Sequence, residues 1–457
     1  MKLNFKQTLP VLVSAGITVF STSASAGFSN EQLLSVLLGN GAITQQQHDE
    51  LLGMTKDEEK KAEDMSANDI KVTLNNGSLK LKNKDESFKM QIGGRIMVDA
   101  ASFDDGGNQY DDGTELRRAR LFVKGTVWRD WHYKAQYDFA GDAVHIKDAW
   151  IKYTGFNDML EFPLEVTFGN FKEVFSMEAL TSSKYITFME RSMATEVFAP
   201  GRNIGLGFNT YGQVMDGGWS AAMGYFGHGI DDDDDGDESY GYVGRATFAP
   251  IASKTRVLHV GGAVEHRKWK GRNYRLRARP ETHIGNTRIV DTRVALPDDE
   301  FGHKDFDDFA VDDVTTWNFD TAAVYGPFSV QGEYFHQNVD SVAEGDLDFD
   351  GWYAYASYFL TGESRVYDVK HGLFKRTKPN SIVGKGGYGA WEVAARYSAI
   401  NLNDGAIKGG RAQNMTIGVN WYATPSIRFM GNYVMTDASR SDKEDPNIFQ
   451  LRGQIDF

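Results

Sequence analysis

From about residue 70 to the C-terminus, apolar and polar side chains alternate with a period of two. In "AWEVAARYSAI" (390–400), Trp391, Val393, Ala395 and Tyr397 alternate with Glu392, Ala394, Arg396 and Ser398. In "NMTIGVNWY", Met415, Ile417, Val419 and Trp421 alternate with Thr416, Gly418 and Asn420. The closing "IFQLRGQIDF" puts Phe449, Leu451, Ile455 and Phe457 on one face and Gln450, Arg452, Gln454 and Asp456 on the other. Residues i and i+2 share a face of a strand, so each segment has one apolar and one polar face. Such a strand either packs its apolar face on a protein core or turns it to lipid while the polar face lines water.

Counting separates the two. The pattern predicts sixteen strands, near 89–100, 116–129, 131–141, 144–154, 162–172, 201–212, 217–228, 239–250, 256–268, 313–326, 327–340, 348–361, 387–400, 411–423, 424–437 and 446–457. Most are far longer than the ~5–6 residues of a globular strand and long enough for the ~9–11 of a tilted membrane strand. Short connections follow the even-numbered strands, as at "RD" near Arg129, "YGPF" (325–328) and "ATPS" (423–426). Long ones follow odd-numbered strands at 101–115, 173–200, 229–238, 269–312 and 438–445. An even strand count with short turns on one side and long loops on the other describes an outer-membrane barrel. Residues 362–386 break the rule: either the count slips there, or one long loop lies on the short-turn side. In lipid every backbone N–H and C=O must pair within the protein, which for strands means closure. The expected fold is all-β: a sixteen-stranded antiparallel transmembrane β-barrel over 70–457, preceded by a short helical or coiled-coil periplasmic segment at 27–69.

That N-terminal segment has a different period. "NEQLLSVLLGNGAITQQQHDELLGM" places leucines at helical spacing on either side of Gly39–Gly41, and "TKDEEKKAEDM" follows. A helical hairpin and a polar helix or linker fit. No a/d heptad is sustained over three repeats, so a solvated helix fits as well as a coiled coil. Residues 1–26 read as a signal peptide: basic Lys2 and Lys6, the apolar "LPVLVSAGITVF", then Ala24 and Ala26 at small-residue positions. Its apolar run is shorter than the ~18 residues of a spanning anchor.

The chain carries a net charge of −14, and loss of Lys2 and Lys6 with the leader brings it to −16. Cysteine is absent, so there is no disulfide framework. Against this acidic balance stands "YRLRARPE" (274–281), where Arg275, Arg277 and Arg279 recur at every second position. In an extended segment they project together, about 7 Å apart, at ~3.3 Å per residue. Like charges so placed repel unless an anion visits, and each planar guanidinium matches phosphate or carboxylate oxygens with two hydrogen bonds. A row of them offers an anion successive stations. A solvated loop edge neutralised by Glu281 and later acids fits the spacing equally.

Strand parity aims other cations inward. Leu121, Val123 and Val127 take the lipid face, which turns Arg118, Arg120 and Lys124 to the lumen, and Lys134, Gln136 and Asp138 follow in the next strand. A charge facing lipid at midplane costs ~2–4 kcal/mol, so the lumen is the default for any charge. The acids cluster elsewhere, in "DDDDDGDE" (231–238) and "DDEFGHKDFDD" (298–308), both in expected external loops. The first resembles the start of an EF-hand, but the twelfth position is Tyr242 rather than Glu. A solvated acidic loop, or a loose divalent or lipopolysaccharide bridge, accounts for it. No motif pairs a nucleophile with a base, no metal site is nominated, and the reading calls for no cofactor.

Several blocks resemble one family. "GNFKEVFSMEALTSSKYITFMERSMATEVFAPGRNIGL" (169–206) is similar to the third-loop region of the phosphate-selective porin O/P family. "LRRARLFVKGTVWRDWHYKAQYDFAG", "RARPETH", "YFLTGESRVYD" and "GAWEVAARYSAINL" resemble other blocks, and "LLSVLLGNGAITQQQHDELL" its helical prefix. The resemblance covers nearly all of the mature chain. It implies a trimeric outer-membrane porin of a Gram-negative bacterium, with lipid and lipopolysaccharide as surroundings and inorganic phosphate, polyphosphate or other small anions as cargo. Nucleic acid is not implied. The third loop narrows the pore, and an arginine ladder in the fifth loop leads anions to a basic constriction. The ladder maps to Arg275, Arg277 and Arg279, the third-loop cations to Lys172, Lys184, Arg191 and Arg202, and the adjoining wall to Arg118, Arg120 and Lys134. The family's ladder has more rungs, whereas alternation backward from Arg275 here meets Asn273 and Gly271. That leaves a general anion preference firmer than one for phosphate, with a general porin or an envelope adhesin as the alternatives.

Overall fold

A computed structural model describes residues 30–67, 69–75, 77–104, 110–230, 238–269, 273–286, 288–295, 306–307, 309–342, 344–439 and 445–457. The leader expected at 1–26 and the acidic loop 231–238, except Glu238, lie outside these. The chain divides into two compact units, one ending at Asp69 and the other running from Ile70 to Phe457.

The first unit holds two helices, α1 (Asn30–Gly39) and α2 (Gln45–Ala67). Gly41, at φ +69°, makes the turn between them. Thr44 and Gln47 then form a reciprocal cap: the Thr44 hydroxyl accepts from the Gln47 amide at 3.3 Å, and Gln47 Oε1 accepts from the Thr44 amide at 3.0 Å.

The second unit is a barrel of sixteen strands: β1 (Lys89–Asp104), β2 (Gly113–Val127), β3 (Trp131–Asp138), β4 (His145–Tyr153), β5 (Leu164–Lys172), β6 (Arg202–Val214), β7 (Gly217–Phe226), β8 (Tyr240–Ala252), β9 (Arg256–Lys268), β10 (Phe309–Tyr325), β11 (Phe328–Ser341), β12 (Gly345–Phe359), β13 (Ala390–Asp404), β14 (Ile407–Tyr422), β15 (Ile427–Ala438) and β16 (Asn447–Asp456). Each pairs antiparallel with the next, and β16 closes on β1 with Ile455 opposite Ile96 and Asp456 opposite Arg95. Where β16 ends, Phe457 exchanges two backbone hydrogen bonds with Gly94. A hairpin of Lys71–Asn75 and Ser78–Lys82 takes over the edge of β1 beyond that point. All sixteen expected strands are present.

The faces are inverted relative to a soluble protein. On β14, Met415, Ile417 and Val419 are exposed, while Asn414, Thr416 and Asn420 are fully buried. Trp128, Trp131, Phe162, Tyr325, Phe328 and Tyr388 ring the short-turn side with exposed aromatic groups. Apolar-out, polar-in alternation with aromatic girdles is what a bilayer outside and water inside select.

The connections correct the expected rule in two places. The odd-numbered connections after β11 and β13 are short, the latter only Gly405 and Ala406. Residues 360–389 are a long loop on the short-turn side, so the strand count does not slip. This segment, called the strap below, carries a small hairpin of Val366–Asp368 and Leu373–Lys375.

The lumen is filled unevenly. The third loop (173–201) carries α3 (Met177–Leu180) and α4 (Met193–Phe198), each with a serine N-cap, Ser176 and Ser192. Phe175, Phe188, Met193 and Phe198 pack against Phe335, Phe349 and Tyr355 of the wall. Gly351 permits this approach, because a Cβ there would stand 3.0 Å from both Ala194 Cβ and Phe198 Cε2. The wall's cations hold the loop by its backbone. Arg428 donates to the Ile186 and Thr187 carbonyls at 2.7 and 3.0 Å, and Arg396 to that of Glu190 at 3.0 Å. The third loop therefore lies on the β11–β16 wall, and the β1–β6 side stays open.

Candidate anion pathway

The open side holds a cavity of about 410 Å³ lined by β1–β6 and the third loop. Arg118 and Arg120 of β2, Lys134 of β3, Lys172 of β5, Arg191 of the third loop and Arg202 of β6 all line it. Six of the ten residues singled out from sequence thus meet in one place. Arg95 and Lys152 join them, and among the described residues the carboxylates on the lining are Asp148 and Glu165. Eight cations against two acids give this space a strong positive field, which low-dielectric walls focus.

The partners divide the cations into two groups. Asp148 takes Lys134 at 2.6 Å and Arg202 at 3.1 Å, and Arg120 meets Asp138 at 2.6 Å. By contrast, the hydrogen bonds of Arg95, Lys172 and Arg191 go to neutral oxygens. Arg95 donates to Ser183 Oγ at 2.7 Å. Lys172 donates to the Ala179 carbonyl, and Arg191 to the carbonyls of Glu178 at 2.9 Å and Thr181 at 2.9 Å. Neutral hydroxyl and carbonyl oxygens orient these cations without cancelling their charge. Arg118 lies 3.6 Å from Glu190 of the third loop, and its Nε meets no acceptor among the described residues.

Arg118 has a neighbour that strand alternation conceals. Met97 pairs with Arg118 and Val98 with Leu116, so a bulge sits at Arg117. The extra residue turns Arg117 inward from a lipid-facing parity. There it grips Glu190 through two bonds of 2.8 Å.

The fifth loop (269–308) reaches into the barrel above this cavity. Arg277 pairs with Asp291 and Ala278 with Val290. Leu276, Ala278 and Pro280 are buried, whereas Arg275 and Arg279 are half-buried and Arg277 exposed, so the three arginines share a face. Arg275 is bound to Asp291 by two bonds of 2.8 and 2.5 Å, which neutralises that rung. Arg279 donates to Asn286 at 3.3 Å. Arg288, on the returning limb, has its pKa pushed down by burial and by the facing Arg279, Arg277 and Arg275. It is a further cation of the row that the spacing of 275–279 does not reveal. The Nε atoms of Arg279 and Arg288 meet no acceptor among the described residues. Glu281, at φ +55°, anchors the loop: its carboxylate accepts from Arg396 and Ser398, both at 2.5 Å, and from Thr416 at 3.0 Å.

Lys184 lies apart from the central cavity. It sits 3.3 Å from Asp456, with its ammonium over the rings of Phe122 and Tyr185. Toward the short-turn side a second cavity, of about 560 Å³, is lined by Lys80, Lys82, Lys89, Lys124, Lys152 and Lys370 together with Glu165. It shares Trp150, Lys152 and Glu165 with the first. Among the described residues no cluster of His, Asp or Glu could hold a metal ion.

The family model for phosphate-selective porin O and P matches residues 90–457. Porin O of Pseudomonas aeruginosa is 30% identical over 417 residues, covering 83% of this chain and 91% of that protein. An uncharacterized protein of Caulobacter vibrioides is 32% identical over 407 residues, covering 83% of this chain and 76% of its own length. Among solved structures, the anion-selective porin of Comamonas acidovorans superposes with a TM-score of 0.51 at 13% identity, covering 81% of this chain and all of that one. OprB of Pseudomonas putida does so at 0.52 and 10% identity, covering 82% and 95%. These two likenesses speak to the fold alone. With its barrel matched end to end by the family model and a curated relative aligned over most of both chains, this chain belongs to the phosphate-selective porin O and P family.

Proposed function

We propose that this outer-membrane porin passes small anions, inorganic phosphate first among them, by diffusion along the β1–β6 side of its lumen. The observation that carries the reading is the excess of cations in the central cavity, and in particular Arg95, Lys172 and Arg191, which are bonded to neutral oxygens. Fixed cations replace part of the anion's hydration shell. Binding stays weak enough for release because several stations share the ion. The arginine face of the fifth loop supplies the entry stations and the lysines of the second cavity the exit. No residue is asked to make or break a covalent bond, and no cofactor or metal takes part. A longer polyphosphate fits the same row, since its successive phosphoryl groups would span more than one station.

The test is a planar-bilayer recording in which phosphate is titrated against a chloride current. Phosphate should block, and Arg191→Ala should weaken the block. A wild-type current indifferent to phosphate would remove the phosphate assignment. The trimer belongs to the same proposal, and its check is detergent-resistant migration that collapses to the monomer on boiling.

A further inference from the structure

Between the two basic cavities stands one carboxylate, Glu165 on β5. It is 2% exposed, yet it lines both spaces. Its two oxygens are divided between two lysines from different parts of the chain. Oε2 accepts from Lys152 of β4 at 2.5 Å, and Oε1 from Lys370 of the strap. Each lysine also rests near an aromatic ring, Lys152 Nζ at 5.6 Å from Trp150 and Lys370 Nζ at 4.8 Å from Tyr211. Both ammonium groups thus have a second favourable position when the carboxylate is not available to them. Asp148, the other acid of the central cavity, is held by Lys134 and Arg202 of the wall and loop end.

We infer that Glu165 is a tethered competitor for the transported anion and sets the rate of its release. An anion leaving the central cavity meets two lysines already occupied by a carboxylate. It can bind there only by displacing Glu165 from Lys152 and Lys370, and Glu165 displaces it in turn. The junction is kept from becoming a trap, because a site holding two uncompensated lysines would bind the anion too firmly to let it go. This deepens the proposed function and rests on it.

The strap does not depend on this contact for its seat. Arg245 donates to the carbonyls of His371 and Gly372 at 3.0 and 3.2 Å, and Tyr367 meets His259 at 2.5 Å. Exchange at Lys370 can therefore proceed with the strap docked, and Lys370→Gln removes one cation without removing the loop.

The experiment compares full-length wild type, Glu165→Gln, Lys370→Gln and the double variant in planar bilayers. Inorganic phosphate is titrated against chloride current, and heat-modifiable migration confirms each fold. Glu165→Gln should lower the half-blocking phosphate concentration by about five-fold or more and lengthen each block, since an opposing unit charge leaves a buried site. Lys370→Gln should raise it, and the double variant, with the charge balance restored, should return toward wild type. Equal half-blocking concentrations and block durations in wild type and Glu165→Gln would overturn the competitor role while leaving the porin an anion channel. A shorter block in Glu165→Gln would also overturn it. If wild type shows no block, the phosphate reading fails first, and this inference fails with it.

Discussion

Arg117 and Glu190 face each other through two parallel hydrogen bonds of 2.8 Å, one partner on the wall and the other on the third loop. Glu190 also takes Arg452 at 2.6 Å, and Arg452 holds Asp99 through bonds of 2.7 and 2.6 Å. One carboxylate thus ties the loop to β2 on one side and β16 on the other. Removing a single partner of so buried a network costs about 3–5 kcal/mol, because the remaining charges lose their compensation. Glu190→Ala should release the loop from the wall, giving larger single-channel conductance and a weaker phosphate block. Conductance unchanged from wild type would show that the apolar packing of Phe188 and Phe198 suffices.

The central cations differ in their partners and so in their expected effects. Arg191→Ala removes a charge oriented by carbonyls, and the half-blocking phosphate concentration should rise about tenfold or more, the range of a charge-assisted contact worth ~1.5–3 kcal/mol. Lys184→Ala should have far less effect on block, because Lys184 is engaged with Asp456 outside the central cavity. Titration of phosphate against chloride current measures both.

In the fifth loop the paired rung behaves differently from its neighbours. Asp291→Asn uncouples Arg275 and should strengthen anion entry, seen as a faster on-rate of block for phosphate added on the loop side. Arg277→Ala should slow it. An on-rate indifferent to both changes would detach the arginine face from the pathway.

The strap carries a pH dependence. Burial raises the carboxyl pKa of Asp368, but hydrogen bonds from His371 and Lys375 outweigh it and hold it at about 2, against an ordinary value of 3.8. A depressed carboxylate stabilises the docked strap above its ordinary pKa, and that contribution is lost as pH falls through the window from 3.8 to about 2. The protection of amides across 362–386, measured against the intrinsic exchange rate at each pH, should stay high at pH 5 and fall through that acidic window. In Asp368→Asn the exchange should be faster at pH 5 and the acidic step diminished.

Much of the barrel is legible in the alternation, because a bilayer outside and water inside impose opposite demands on successive residues. Strand parity alone places Arg118, Arg120 and Lys134 in the lumen, and Arg95 is on the same face by the same rule, next to outward Ile96. Arg117 is not legible, since a bulge breaks the parity on which the rule depends. Nor is the split between wall cations that face the open cavity and those that grip the third loop. Arg396, Arg428 and Arg452 are inward by parity, but only the folded loop shows that its carbonyls and Glu190 take them. Arg288 joins the fifth-loop row from the returning limb, which no spacing within "YRLRARPE" encodes. Glu165 reads from sequence as an ordinary inward acid, because its second lysine comes from a strap two hundred residues away.

The account stands on a lumen whose fixed charge is positive although the whole chain is acidic. The reversal potential of the reconstituted wild-type porin under a potassium chloride gradient measures that sign directly. A potential displaced toward the chloride equilibrium is the predicted result. One displaced toward the potassium equilibrium would contradict the account at its centre.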